Sequence, residues 1–191
     1  MALHICPWWL GYGLVSPLRK LIHDPEKILA RYVQQGMRVL DIGSGMGFFS
    51  LPMAAMVGEN GCVICIDLQD KMLSGLARRA QKAGLTDRIE CRRSQDNSLM
   101  VVDFDGTVDF ALAFAMAHEV PDKDRLFREI SAAVRQGGKL LLTEPRGHVS
   151  AGAFENTISI AEQYGFAVVD RPCIAFSRSA ALEKTGKKSE E

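Results

Sequence analysis

Residues 39–50 read Val39-Leu-Asp-Ile-Gly-Ser-Gly-Met-Gly-Phe-Phe-Ser50, and this stretch decides the fold. Its apolar residues predict a strand, while Gly43, Gly45 and Gly47 allow a sharp turn and the close approach of a ligand to the backbone. From Phe48 onward the pattern becomes helical. A strand, a glycine loop and a helix in this order predict a small-molecule site at the loop.

The glycine spacing argues against a dinucleotide site. The dinucleotide pattern has glycine at its first, third and sixth positions, and the sixth position here is Phe48. The chain instead carries G-x-G-x-G, with Asp41 two residues ahead of the first glycine. An NAD-dependent oxidoreductase is therefore the weaker alternative.

A second acidic residue follows the next predicted strand. Gly61-Cys-Val-Ile-Cys-Ile-Asp67 is almost entirely apolar, as expected of a strand buried on both faces of a parallel sheet. Asp67 lies about twenty residues after the loop, where a Rossmann-type unit places an acid on ribose hydroxyls. Leu68 and Met72 are candidates to pack on an adenine ring. The alternative is that Asp67 only caps the helix predicted over 70–83.

The composition is typical of one globular domain with balanced charge. The 191 residues include 23 basic and 23 acidic side chains, so no net field favours nucleic acid. No apolar run reaches the length of a membrane span, and no secretory signal is recognisable. Five cysteines without such a signal suit a reducing compartment, so we expect a cytoplasmic protein without integral membrane segments.

One pair of cysteines has a metal-ligand spacing. Cys62 and Cys65 form C-x-x-C, but they lie in a predicted strand, where residues three apart point to opposite faces. A zinc site would also need a second pair with similar spacing. The sequence therefore favours packing of both thiols and predicts no metal centre.

Strands and helices alternate along the rest of the chain, which is typical of a parallel sheet covered on both faces. After the first two strands, the pattern predicts strands over 88–93, 108–113, 139–143, 167–171 and 174–177. It predicts helices from Asp24 to Gly36, over 70–83, from Asp122, and over 150–164.

The segment Leu40-Asp-Ile-Gly-Ser-Gly-Met-Gly47 resembles motif I, h-D-h-G-x-G-x-G, of the class I S-adenosylmethionine-dependent methyltransferases. The resemblance implies an α/β, Rossmann-like three-layer sandwich with helices on both faces of a seven-stranded, mostly parallel sheet. Its expected strand order is 3-2-1-4-5-7-6, with strand 7 antiparallel. The two short strands predicted after the last helix fit this layout.

The resemblance also implies S-adenosylmethionine as cofactor and S-adenosylhomocysteine as its product. The loop backbone would approach the methionine portion, Asp41 would bind the loop or the ammonium group, and Asp67 would bind the ribose. After the third strand, Ser94-Gln-Asp-Asn97 lies where relatives carry an acid that binds adenine. Asp96 is the preferred match there, with Gln95 and Asn97 as alternatives, and a plain turn is equally open. The candidate cofactor residues are Asp41, Gly43, Ser44, Gly45, Gly47, Asp67, Leu68, Met72, Gln95, Asp96, Asn97 and Ala113.

The fourth strand continues into Phe114-Ala-Met-Ala-His-Glu-Val-Pro-Asp122, which resembles the h-x-H-H-V-P-D segment of small-molecule methyltransferases related to quinone biosynthesis. His118 would lie at the carboxyl end of that strand, where open parallel sheets bind substrates. It could take a proton from a substrate hydroxyl, or it could only order the loop. His148, after the fifth strand, is a second and weaker catalytic candidate.

The amino-terminal segment concentrates aromatic residues, including Trp8, Trp9 and Tyr12. By analogy with related enzymes it is expected to form a lid, with a satellite core or a membrane-surface contact as alternatives. We expect one methyltransferase domain over 1–191, with a lid segment over 1–24, a core over 25–182 and a charged tail over 183–191.

These patterns predict methyl transfer from S-adenosylmethionine to a small-molecule acceptor by direct displacement. The alternatives are a noncatalytic protein that binds S-adenosylmethionine and, less favoured, an NAD-dependent oxidoreductase. A nucleic-acid or protein methyltransferase lacks support, because Ala113-Phe-Ala-Met116 stands where an Asn- or Asp-Pro-Pro-aromatic segment would be expected. The acceptor and the oligomeric state, including a homodimer, stay open.

Overall fold

A computed structural model describes residues 15, 17–95 and 98–186. Its strands are β1 (Arg38–Ile42), β2 (Cys62–Asp67), β3 (Ile89–Arg93), β4 (Val108–Phe114), β5 (Val134–Pro145), β6 (Phe166–Asp170) and β7 (Ser177–Lys184). Its helices are α1 (Pro25–Leu29), α2 (Ser50–Val57), α3 (Asp70–Ala83), α4 (Lys123–Ala133) and α5 (Ala151–Gln163).

The seven strands form one sheet in the order β3-β2-β1-β4-β5-β7-β6, with β7 antiparallel and helices on both faces. This confirms the predicted Rossmann-like fold. The chain divides into two compact units, with the division after Asp96. The single-domain organisation expected from the sequence stays a prediction.

The first unit contains β1, β2 and β3 as parallel neighbours, with Leu40 opposite Ile64 and Ile64 opposite Glu90. The apolar side chains of β1 and β2 are buried on both faces, as their unbroken apolar runs predict. Helix α3 has the predicted bounds, and it ends at Gly84, whose left-handed backbone (φ +67°) closes the last turn.

The second unit pairs β4 with β5 in parallel, and β7 antiparallel with both β5 and β6. Helix α4 begins where predicted, because the Asp122 carboxylate accepts the Arg125 N–H at 2.8 Å. The α4 side chains Leu126, Phe127 and Ile130 recur at helical spacing and are buried. The predicted helical face of α4 is therefore a core face.

We expect Ser150→Ala to lower the free energy of unfolding by about 1 kcal/mol, because Ser150 is the N-cap of α5. Its hydroxyl accepts the Ala153 N–H at 3.2 Å, and alanine would leave that donor without its partner. Urea denaturation measures the change. Ser159→Ala, at an exposed position within α5, is the matched control. An equal loss in both variants would show that the cap contributes nothing.

Two element boundaries were predicted wrongly in the first unit. Helix α1 ends at Leu29 rather than continuing to Gly36. The Gly36 N–H donates to the carbonyl of Val57, so it bonds to another element instead of extending the helix. Arg88 belongs to a 3-10 turn (Thr86–Arg88), and β3 begins at Ile89.

The last strands also differ from their predicted bounds. The strand predicted over 174–177 is wrong, because Phe176 has a left-handed backbone (φ +55°) and the Ser177 N–H turns back to the Ile174 carbonyl. β7 begins only at Ser177 and continues through Lys184, two residues into the predicted tail. β5 is longer than the predicted 139–143, since it includes Gly137 and Gly138 rather than starting after them.

The described cysteines Cys62, Cys65, Cys91 and Cys173 are free thiols, and Cys65 is fully buried within β2. Trp8, Trp9, Tyr12 and the predicted lid lie outside the described residues. In the part of the chain that the structure describes, no helix has the length and apolar character needed to cross a membrane.

Candidate active site

The glycine loop follows β1 and turns sharply at three left-handed glycines, with φ of +72° at Gly43, +54° at Gly45 and +83° at Gly47. The N–H groups of Gly43 and Ser44 both donate to the Ile66 carbonyl at 2.9 Å, and the Gly47 N–H donates to the Ser44 carbonyl at 3.0 Å. The Gly45 N–H donates to Oδ2 of Asp67 at 2.9 Å. These four donors are therefore satisfied by the chain itself.

Two glycines of the loop have different surroundings. A Cβ at Gly47 would stand 3.0 Å from Cγ of Leu76 in α3, so Leu76 would have to shift to admit a side chain there. A Cβ at Gly45 would meet no atom of the described residues within 4 Å, so the described part of the loop borders open space at that residue. The Ser44 hydroxyl is buried and has no hydrogen-bond partner among the described residues. Open space beside the loop backbone is what a ligand site requires.

Asp41 lies near the end of β1, with 3% of its surface exposed. The Ser50 hydroxyl at the start of α2 donates to its Oδ2 at 2.5 Å. Burial raises the pKa of Asp41 to about 7; the Ser50 hydrogen bond opposes this shift and the nearby charge of Asp67 adds to it. Ser50 was not among the predicted site residues, and its hydroxyl is nine residues from Asp41 in the chain.

The Asp67 carboxylate connects two parts of the first unit. It accepts the Gly45 N–H through Oδ2 and the Gln69 N–H through Oδ1, both at 2.9 Å. Burial raises the pKa of Asp67, and its backbone hydrogen bonds oppose that shift. The alternative that Asp67 only caps α3 is wrong, because the N-cap residue is Gln69 and it makes no side-chain cap bond.

The remaining candidates of the first unit follow the ends of β2 and β3. Leu68 is half-buried directly after Asp67, and Met72 is buried in the first turn of α3. The Ser94 N–H donates to the Asp67 carbonyl at 3.0 Å, which places exposed Gln95 one residue beyond that contact. Asp96 and Asn97 lie outside the described residues.

The second unit brings His118, His148 and Glu144 together. His118 lies in a 3-10 turn (Ala117–Glu119) after β4, and His148 lies in the turn after β5. Their rings are edge-to-face, with centroids 5.7 Å apart and an interplanar angle of 70°. Ala113, the candidate cofactor residue within β4, has no exposed surface, so its predicted contact has no support in this arrangement.

Glu144 is a site residue that the sequence analysis missed. Its Oε1 accepts the backbone N–H of His118 at 3.2 Å, and its Oε2 lies 2.5 Å from Nδ1 of the His118 ring. The available signal was an acid near the end of the apolar run Leu140-Leu-Leu-Thr143, the same pattern that identified Asp41 and Asp67. The hydrogen bond to Glu144 is the main cause that raises the pKa of His118, while burial opposes it.

The described residues contain no group of three or more histidine, cysteine or acidic side chains placed to hold a metal ion. The candidate site groups include the carboxylates of Asp41, Asp67 and Glu144 and the rings of His118 and His148. These groups can bind cationic or hydroxylic ligands and can exchange protons.

The sheet order and the glycine loop after β1 define a Rossmann-like domain of the class I methyltransferase type. The chain belongs to the methyltransferase domain family, which it matches over residues 33–185. It is similar to a ubiquinone/menaquinone biosynthesis C-methyltransferase from Cronobacter sakazakii, with 28% identity over 142 residues that cover 73% of this chain and 53% of the relative. The chain spans about half the length of the curated relatives it matches. The resemblance to the quinone-biosynthesis group is confirmed.

Solved structures agree with this family. A S-adenosylmethionine-dependent methyltransferase from Aquifex aeolicus superposes with a TM-score of 0.84 and 25% identity, covering 95% of this chain and all of that one. The cyclase SpnF has a TM-score of 0.73 and 18% identity, covering 87% of this chain and 82% of that one. The second likeness concerns the fold alone, and the fold therefore does not decide the reaction.

Proposed function

We propose that this chain transfers a methyl group from S-adenosylmethionine to a small-molecule acceptor by direct displacement. The observation that carries the proposal is the glycine loop, whose N–H groups at residues 43, 44, 45 and 47 already have acceptors in the chain. A pyrophosphate needs free N–H donors at such a loop, and this loop keeps none at those four positions. A ligand without phosphate fits better.

The carboxylates of the first unit suit a cationic ligand. Asp41 and Asp67 are both desolvated, and no described cationic side chain pairs with either of them. When bound, S-adenosylmethionine supplies an ammonium group and an electrophilic methyl group on a positively charged sulfur. We propose that Asp41 and the loop backbone hold the methionine portion and that Asp67 binds the ribose with the lone pairs its backbone contacts leave unused.

Calorimetry tests the ligand class. We expect S-adenosylmethionine and S-adenosylhomocysteine to bind at least about 100-fold more tightly than NADH, a difference of about 2.7 kcal/mol. Tight binding of NADH with no binding of either sulfur compound would overturn the proposal in favour of an oxidoreductase. Binding of S-adenosylmethionine without any methyl transfer would instead support a noncatalytic binding protein.

The proposal includes several expectations on which the function does not depend. We propose a cytoplasmic location, a small-molecule rather than a nucleic-acid acceptor, and no metal requirement, on the balanced charge and the cysteine usage of the chain. The similarity to C-methyltransferases of quinone biosynthesis supports a small-molecule acceptor. Size-exclusion chromatography with light scattering decides whether the chain is a homodimer.

A further inference from the structure

Helix α3 turns one of its faces to the glycine loop. Gly75, Leu76 and Arg79 lie three or four residues apart along the helix and therefore share a face, which we call the loop face of α3. Leu76 is the residue that a Cβ at Gly47 would meet first. The loop face therefore packs against the part of the glycine loop that leads into α2.

Met46, between Gly45 and Gly47, packs on the loop face through its side chain. That side chain is buried, and a Cβ at Gly75 would stand 3.0 Å from its Cγ and 3.1 Å from its Sδ. A larger residue at position 75 would therefore have to displace Met46. Glycine within a helix is unfavourable, and the packing of Met46 accounts for the one in α3.

The loop face also binds the backbone of Met46. Nη1 of Arg79 donates to the Met46 carbonyl. The N–H of the same peptide, which belongs to Gly47, donates to the Ser44 carbonyl at 3.0 Å. Both polar groups of the peptide that joins Met46 to Gly47 are therefore bound, one by the loop and the other by α3.

Arg79 is suited to fix this peptide from outside the loop. Its side chain is half-buried, and a hydrogen bond from an ionised donor is stronger where water is partly excluded. Gly45 and Gly47 on either side of Met46 offer the least steric resistance to backbone rotation. The orientation of the Met46 carbonyl therefore depends on a residue 33 positions further along the chain.

We propose that Arg79 is a positioning residue of the cofactor site, which holds the Met46 carbonyl against α3 and thereby sets the affinity for S-adenosylmethionine without contacting that ligand. The inference rests on the proposed function, in which the loop backbone holds the methionine portion. Asp67 fixes the loop at Gly45, and Arg79 fixes it one residue later. A loop held at both residues binds a ligand without first losing backbone freedom.

Calorimetry on folded variants measures the effect on the ligand. Arg79→Met, which keeps the apolar stem and loses the donors, should bind S-adenosylmethionine about 10-fold more weakly than the wild-type protein. Arg79→Lys, which keeps a cationic donor, should recover part of the affinity. Arg79→Gln is too short for the same reach, so it has the same expected loss as Arg79→Met and replaces that variant if it does not fold.

Arg78→Met is the matched control. It removes an equal charge from an exposed neighbouring position of α3, so its affinity for S-adenosylmethionine should be unchanged. Equal losses in Arg78→Met and Arg79→Met would overturn the inference, because they would show an effect of net charge alone. Wild-type affinity in Arg79→Met would overturn it as well.

Decarboxylated S-adenosylmethionine distinguishes positioning from direct binding. An arginine that bound the ligand would pair with its carboxylate, so the loss in Arg79→Met would disappear with the compound that lacks this group. A positioning residue should give the same fold-loss with both compounds. A loss confined to the ligand that has the carboxylate would overturn the inference.

Amide hydrogen exchange tests the loop in the ligand-free protein. In Arg79→Met the Gly47 N–H should exchange faster by on the order of 10-fold, because its peptide is no longer held by α3. The Gly43 N–H, which donates to the Ile66 carbonyl of β2, should keep its wild-type rate. Unchanged exchange at Gly47, or equal acceleration at Gly43 and Gly47, would contradict a local positioning role.

Failure of the proposed function gives a different result. If the wild-type protein binds neither S-adenosylmethionine nor S-adenosylhomocysteine, the methyl-donor site is wrong and the role of Arg79 falls with it. If the wild-type protein binds and Arg79→Met binds equally well, only the role of Arg79 is wrong. A lower free energy of unfolding in Arg79→Met with unchanged affinity would show that Arg79 stabilises the fold alone.

Discussion

Replacing Asp67 with alanine should weaken S-adenosylmethionine binding by on the order of 100-fold, or about 2.7 kcal/mol. The carboxylate makes two charge-assisted bonds to the backbone, with the Gly45 N–H in the glycine loop and the Gln69 N–H before α3. Each such bond contributes about 1.5–3 kcal/mol, and alanine would leave the loop without its fixed position and the ligand without a carboxylate. Calorimetry on the folded variant measures the loss.

Asp70→Ala is the matched control for this prediction. Asp70 lies three residues further along, is exposed, and forms a surface ion pair with Arg93 at 2.9 Å. Such a pair contributes little, so S-adenosylmethionine affinity should be nearly unchanged. Wild-type affinity in a folded Asp67→Ala variant would contradict both the loop contact and the proposed ribose role.

Replacing Asp41 with asparagine should stabilise the ligand-free protein at pH 8 by about 4 kcal/mol, while leaving its stability at pH 3.5 little changed. The folded-state pKa of about 7 lies above the ordinary value of 3.8, so the wild-type protein is penalised for ionising this buried group. The free energy of unfolding of the wild-type protein therefore has no penalty from Asp41 below pH 3.8. It falls as the pH rises from there to about 7, because the unfolded chain ionises this group more readily than the folded protein. Asparagine has the same shape and no charge, and Ser50 can still bond to it.

Urea denaturation at pH 3.5 and pH 8 measures the free energy of unfolding of the variant and of the wild-type protein. The difference between the two proteins at pH 8, minus the same difference at pH 3.5, isolates the contribution of Asp41 ionisation. Asp87→Asn, at an exposed carboxylate in a surface turn, should change stability little at either pH. An Asp41→Asn protein less stable than wild type at pH 8 would show that the ionised carboxylate is favourably bound. We expect the stabilised variant to bind S-adenosylmethionine poorly. The buried Asp41 carboxylate destabilises the ligand-free protein, but it is the group proposed to bind the methionine portion of the ligand.

Local patterns predicted the loop and the strand-end acids of the first unit, because their contacts are close in sequence or set by adjacent strands, and their roles toward a ligand stay a prediction. Gly43, Gly45 and Gly47 carry the backbone angles that only glycine adopts readily, and those angles follow from the loop itself. Asp67 follows β2, the parallel neighbour of β1, so its contact with the loop follows from strand order. Helix α3 was predicted with its bounds because its apolar period and Gly84 agree.

The contacts of the second unit were harder to predict. His118 was recognised from the segment that carries it, but its partner Glu144 is 26 residues away in the chain. An acid in an apolar strand does not by itself indicate which residue it contacts. The parallel register that pairs Phe114 of β4 with Thr143 of β5 places Glu144 beside the turn that carries His118. The strand expected over 174–177 failed for a similar reason, because the pairing of β7 with β5 decides where extended backbone begins.

The sequence by itself determined the alternation of strands and helices, the glycine loop and the two strand-end acids, since periodicity and glycine conformation act over a few residues. The seven-stranded order followed from the resemblance to the class I methyltransferases. The tertiary structure alone decided that the loop's N–H groups are satisfied internally, that Asp41 is desolvated enough to raise its pKa to about 7, and that Glu144 orients His118. Hydrogen-bond partners and desolvation depend on what packs around a group, and residues distant in sequence supply that packing.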